Sequence, residues 1–175
     1  MLLRVSSIAL LIGLVAAPAA AQAQDLKTAE AFVKGLYTAY KSKGHPIAMT
    51  SPKAATILES SLVALLQTDE KLLGGEVGGL EVDPICQCQD FDIRTVAVTV
   101  TADGDGKAKA TASFHNLDAD EKVDFDLVTS GTGWRIFDIH AADMPSLRKL
   151  LEDDIAMMKE EKAKEKAEEK AKGKH

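Results

Sequence analysis

The chain has 175 residues, with 21 Lys and Arg against 27 Asp and Glu and a formal net charge of −6. That acidic balance gives no support for nucleic-acid binding, which needs basic patches to meet phosphates, and it argues against docking on an anionic membrane surface. The length suits one domain with a substantial core.

The N-terminus reads MLLRVSSIALLIGLVAAPAAAQAQ. Arg4 supplies a positive start, residues 8–15 a short apolar run, and Pro18 with small residues a peptidase site. The apolar run is too short to span a bilayer, so residues 1–23 are expected to be a secretory signal peptide, cleaved after Ala21 or Ala23. No cysteine stands at either cleavage point. A soluble, exported and periplasmic chain follows as the expectation, with no membrane span after cleavage. Cleavage after Ala23 leaves 175 − 23 = 152 residues, and loss of Arg4 takes the net charge from −6 to −7.

From residue 26, Leu26, Ala29, Phe32, Val33, Leu36, Tyr37 and Tyr40 recur with helical period. Gly44 and Pro46 predict the end of that helix. Ser51 followed by Pro52 predicts a second helix start, with a stripe of Leu58, Leu62, Leu65 and Leu66 and an end near Gln67. Residues 69–73 add a further turn. Residues 74–85, GGEVGGLEVDPI, read as a long irregular connection of the kind that often binds or covers a ligand.

The period then changes to two. Residues 92–102 place Val96, Val98 and Val100 on one face, and DGDG at 103–106 predicts a turn. Residues 107–117 alternate Ala108, Ala110, Ala112 and Phe114 against Lys107, Lys109, Thr111, Ser113 and His115. A polar loop, DADE, precedes a third strand with Val123, Phe125 and Leu127 inward. After Gly131-Thr132-Gly133, WRIFDIHA is apolar on both faces, which suits an interior strand. Pro145 opens a helix with the stripe Leu147, Leu150, Leu151, Ile155 and Met158. The order predicts an α+β fold: N-terminal helices on a curved four-stranded antiparallel sheet, a cystatin-like or transport-factor-like cone with a C-terminal helix. Residues 24–152 form the domain. Residues 153–175 form a charged helical tail with Glu160–Lys164 and Glu168–Lys172 pairs. A coiled coil there would need a heptad stripe that is absent after Met158.

The helix with LYTAY, the Ser-Pro start, DPICQCQDFD, GWRIFDI and a helix opening PSLRKLL together resemble the bacterial envelope family called domain of unknown function 3828. The resemblance covers about residues 26–152, and DPICQCQD is its most specific part. It implies an exported bacterial protein with a nuclear transport factor two-like fold and implies no catalytic residues.

DPICQCQDFD holds both cysteines, Cys86 and Cys88. A closed zinc site needs four ligands, and His45, His115 and His140 stand at no recognised spacing. A catalytic redox pair is more usually C-x-x-C at a helix N-terminus. A Cys86–Cys88 disulfide suits an exported chain. Extended residues two apart are about 6.5 Å apart, beyond the preferred disulfide span, so this bridge requires a bent backbone. Two buried free thiols are the remaining reading.

Gln87, Gln89, Asp90 and Asp92 are candidates for ligand or partner contact, or else for turn chemistry. Trp134, Asp138 and His140 join them from the last strand. Alternation puts Asp138 on the face of Trp134 and Ile136, where burial would raise its pKa and suit it to acid–base work. The competing reading is a strand-end carboxylate that caps the next turn. Asp103, Asp105 and Gly106 fail the calcium-loop spacing because Phe114 stands where a glutamate is needed. No metal or cofactor is expected. The leading reading is a non-enzymatic binding or interaction module that uses the concave sheet and residues 74–92, with an envelope protein or small molecule as partner. The alternatives are a small acid–base enzyme built on Asp138 and an accessory subunit of an envelope complex. A homodimer through the open sheet face is also possible on this pattern.

Overall fold

The computed structural model describes residues 18–75 and 78–172, with side chains described from residue 25 onward. Most of the expected signal peptide, residues 1–17, lies outside the described residues. The chain forms α1 (Pro18–Leu36), a 3-10 turn (Tyr37–Ala39), a second 3-10 turn (Pro52–Thr56) and α2 (Ser60–Leu73). Then come β1 (Ile93–Ala102), β2 (Lys107–Asn116), β3 (Ala119–Ser130), β4 (Gly133–His140) and α3 (Leu147–Lys172). The strands form an antiparallel meander, β1-β2-β3-β4, which is open rather than closed. This is the expected α+β class. No helix among the described residues is long and apolar enough to cross a membrane.

α1 buries Ala29 and Val33, and the turn beyond it buries Tyr37 and Tyr40, continuing the same stripe. Gly44 is required where the chain turns back, because a Cβ there would stand 1.9 Å from the Ala39 carbonyl oxygen. α1 lies across β1 and β2. Ala108, Ala110 and Ala112 are fully buried beside Phe114, Phe125 and Leu127. The concave face expected to hold a ligand is thus filled by the core. The opposite face presents Thr99, Lys109, Ser113 and Lys122 to solvent.

Ser51 and Pro52 open only the 3-10 turn, and the Ser51 side chain does not cap it. The chain then runs beside β4. The Glu59 N–H donates to the Ile136 carbonyl at 2.8 Å, and the Ile136 N–H to the Ile57 carbonyl at 2.8 Å. A helix continued through residues 57–59 would leave the Ile136 groups bare at the sheet edge, which is why α2 begins late. Glu59 caps it, accepting from the Ser61 N–H at 2.9 Å. α2 then runs past Gln67 and stops at Gly74, whose φ of 62° is the left-handed cap. The expected DADE loop is also corrected. Leu117 (φ 52°) and Asp118 alone make the turn, and β3 starts at Ala119 opposite Asn116.

β4 is the last strand of the ladder and not an interior one. Its two apolar faces have another cause. Ile136 pairs with Leu127, while Asp138 pairs with Asp126, so Phe137 is an extra residue in a bulge. The bulge shifts the phase. Trp134 and Ile136 face the core before it, and Ile139 faces the core after it opposite Phe125. Asp138 therefore does not share the face of Trp134 and Ile136. It lies opposite, with His140 and Asp126.

Arg148 of α3 closes the bulge. Its Nε donates to the Phe137 carbonyl at 2.5 Å, and its guanidinium carbon sits 3.8 Å from the Phe137 ring centroid. Its Nη2 reaches Glu59 at 3.0 Å and the Ser61 hydroxyl at 2.7 Å. Burial pushes the Glu59 carboxyl up, but Ser61, Ser60 and the Arg148 charge outweigh it and hold it at about 2. This folded value lies below the ordinary 4.5. The resulting stability is present above the ordinary value and lost as pH falls toward the folded one. Replacing Arg148 with alanine removes the ion pair, the hydrogen bonds and the ring contact together, at a cost of about 2–4 kcal/mol in urea unfolding. Arg148→Lys is expected to recover less than half of that, because one ammonium cannot serve Phe137 and Glu59 at once. A loss within experimental error for Arg148→Ala would contradict this role.

Candidate functional site

The segment from Asp83 to Asp92 has no helix and no strand beyond one isolated bridge, yet Pro84, Ile85, Cys86 and Cys88 are buried. Its polar backbone groups must find partners in the fold. The Asp83 N–H donates to the Cys88 carbonyl at 3.0 Å, and the Ile85 N–H to the Asp83 carboxylate at 2.9 Å. Tyr37 donates its hydroxyl to the Ile85 carbonyl at 2.8 Å, and Tyr40 donates to Asp83 Oδ2 at 2.6 Å. Burial raises both tyrosine pKa values well above the ordinary one, with Asp83 adding to it, so both stay protonated donors. Burial likewise raises the Asp83 carboxyl, partly offset by the bonds from Tyr40, Ile85 and Cys86.

Cys86 and Cys88 form a disulfide with Cα atoms 5.1 Å apart. The bend that this separation requires is at Gln87, whose φ is 52°. The Gln87 side chain donates to the Pro84 carbonyl at 2.8 Å. Gln89 donates to the Glu81 carbonyl at 3.3 Å. Asp90 offers its carbonyl to the Asn116 amide at 3.0 Å, and the Asp92 N–H donates back to Asn116 Oδ1 at 2.9 Å. The Asp92 carboxylate accepts from Arg94 at 2.7 Å and from the Ser42 N–H at 3.2 Å. Asn116 was not among the expected site residues. A signal for it exists, because it is a polar residue in the inward phase set by Ala108 to Phe114.

Trp134 is buried, and its Nε1 donates to the Thr28 hydroxyl of α1 at 3.0 Å. It stands far along β4 from the other candidates. Asp138 is buried and bonded inside the protein. Oδ1 accepts from the Ile139 N–H at 2.9 Å and the Arg148 N–H at 3.0 Å, and Oδ2 from the Ser146 hydroxyl at 2.6 Å. That is the capping arrangement at the start of α3. His140 Nε2 lies 3.1 Å from Asp126 Oδ2, and Nδ1 faces the Pro145 carbonyl at 2.5 Å. Burial alone would lower the His140 pKa, but the Pro145 carbonyl, Asp126 and Asp138 outweigh it and raise it. Asp126, Asp138 and His140 bring one ligand-type atom each to within 4.8 Å of one another. The Lys109 ammonium already sits 2.7 Å from Asp126, and protein donors fill Asp138, so the trio reads as a charge cluster joining β3, β4 and α3.

Residues 79–82, with Gln87 of the disulfide loop, line one part of a cleft of about 620 Å³. Leu80, Val82, Met144 and Leu150 give it an apolar floor. Glu81, Glu121 and Asp143 stand around it, while Asp120 and Lys122 line it from β3 with their charges paired to His115 at 2.8 Å and to Asp124 at 3.1 Å. Of the sequence candidates, Gln87 alone is in its lining. The carboxylates come from three separated segments, and nothing in the linear sequence groups them.

Neither a family model nor a curated protein matches the chain. Among solved structures it is similar to a chain of the type VI native effector-immunity complex Tae3-Tai3 from Ralstonia pickettii. The identity is 18%, the match covers 69% of this chain and 94% of that one, and the TM-score is 0.42. A likeness at this level carries no functional argument.

The raised His140 pKa has a definite sign. Its stabilisation is fully present below the ordinary value of 6.5 and is lost as pH rises through the folded value. The melting-temperature gap between the native protein and His140→Gln is therefore expected to shrink as pH rises from about 6 to about 8.5. A gap that stays constant or widens would contradict the assignment.

Proposed function

We propose that the protein is an exported interaction module whose cleft beside the disulfide loop takes a basic, amphipathic segment of a partner protein. One observation carries this: the carboxylates of Glu81, Glu121 and Asp143 stand around an apolar floor beside Gln87 of the disulfide loop. Carboxylates at the rim steer and orient a cationic chain, and the floor buries its apolar side chains. The disulfide supports an oxidising compartment, in keeping with a periplasmic location. The kinship to the domain of unknown function 3828 family stands as a proposal on the same terms, carried by DPICQCQD. The acid–base alternative draws no support from Asp138, whose two oxygens are bonded to Ile139, Ser146 and Arg148.

The test is fluorescence anisotropy with a labelled peptide of alternating lysine and leucine. Glu81, Glu121 and Asp143 are to be replaced together by lysine, all at the open rim. Each rim charge is worth about 0.5–1 kcal/mol, so the triple variant is expected to bind about ten- to a hundredfold more weakly and with a smaller salt dependence. Equal binding by native and variant protein would remove the cleft from the proposal.

A further inference from the structure

Asp69 of α2 is 6% exposed, and among the described residues its Oδ1 is the buried side-chain oxygen with no hydrogen-bond partner. A buried carboxylate oxygen without a protein partner is costly, and a proton, a bound water or a bound cation each relieves that cost. Burial, and secondarily the charge of Asp154 on α3, raises its pKa. Asp154 is itself engaged, accepting from the Gly79 N–H at 3.2 Å.

Asp69 lines a cavity of about 320 Å³ that is distinct from the acidic cleft but shares Leu80 with it. Leu66, Leu73 and Leu80 supply apolar walls, and Glu70 a second carboxylate. The volume is at the small end of ligand pockets, enough for a side-chain-sized group.

We infer that this slot is a binding site for an alkylammonium group, with Asp69 receiving the ammonium and the three leucines enclosing its methylenes. Each part of the ligand matches a part of the site. An ammonium is a compact donor that can pair with a single bare carboxylate oxygen. A methylene stem is what leucine walls accept. A bare divalent cation fits poorly, because calcium takes six to eight oxygen ligands and the polar side chains of this lining are Asp69, Glu70 and Thr50. The inference stands whether or not the acidic cleft binds a basic segment. The group could come from a lysyl side chain or from a free alkyl amine.

The experiment is an amide-resolved NMR titration of the full chain with three probes: Nα-acetyl-lysine N-methylamide, its norleucine isostere, and cadaverine. The lysine probe is expected to shift amides at residues 66–80, the isostere is not, and Asp69→Asn is expected to weaken the lysine probe at least about tenfold, as for a charged hydrogen bond. Cadaverine binding without the lysine probe would assign the slot to free amines, and the reverse to lysyl side chains; both support an alkylammonium site. Asp69→Asn keeps the shape and removes a buried charge, so it should fold. Equal binding of lysine and norleucine probes, unchanged affinity in Asp69→Asn, or no shifts near residues 66–80 would overturn the inference and leave Asp69 as a protonated structural carboxyl.

Discussion

The Asp83–Asp92 segment is buried without a ladder, and much of the structure follows from how its backbone is satisfied. A buried peptide group without a partner costs about as much as a lost hydrogen bond or more. Here the partners come from three directions. Tyr37 and Tyr40 reach in from the end of α1, Asn116 from the end of β2, and the Asp83 side chain from within. The tyrosines also stack among themselves and on Phe114 and Phe91, which fixes their rings. The disulfide then bends a few residues that are already held. Its ring is too small to remove much chain entropy, so it shapes the loop rather than stabilising the domain.

A second junction does the same for the other side of the molecule. The Phe137 bulge re-aims Asp138 away from the core, and the freed carboxylate caps α3. Arg148, on the first turn of that helix, reaches back to the bulge and across to the Glu59 cap of α2. One bulge thus sets the start of two helices. The β4–α3 connection that emerges carries Asp143 and Met144 into the cleft, which residues 79–82 and Gln87 also line.

The parts of this fold that were legible in the sequence are those where one side-chain period describes one environment. Ala108, Ala110, Ala112 and Phe114 alternate without interruption, and all are buried. The α1 stripe through Ala29 and Val33 was legible for the same reason, although LYTAY itself continues from Leu36 into the 3-10 turn at Tyr37–Ala39 rather than extending the α-helix. Where the reading failed, backbone demands had overruled side-chain signals. Ser51 and Pro52 carry good helix-start chemistry, but Ile136 needed partners at the sheet edge and took residues 57–59. In WRIFDIHA a bulge produces the same apolar pattern as a strand covered on both sides. The cysteine pair was legible from compartment and geometry together, down to the required bend. The acidic cleft was not, since Glu81, Glu121 and Asp143 meet only after folding. Asp69 gave no signal either, because an aspartate on a helix reads as solvated until its surroundings are known.

The central claim is that residues 83–92 are a fixed segment and not a loose loop. Native-state hydrogen exchange of the oxidised protein tests it most directly. The amides of Asp83, Ile85 and Asp92 have the acceptors given above, and the Ile93 N–H donates to the Tyr40 carbonyl at 2.8 Å. They are expected to exchange within about tenfold of the amides of β2 and β3, as members of one cooperative unit. Exchange of those four amides at nearly unprotected rates, while the sheet stays protected, would contradict the account.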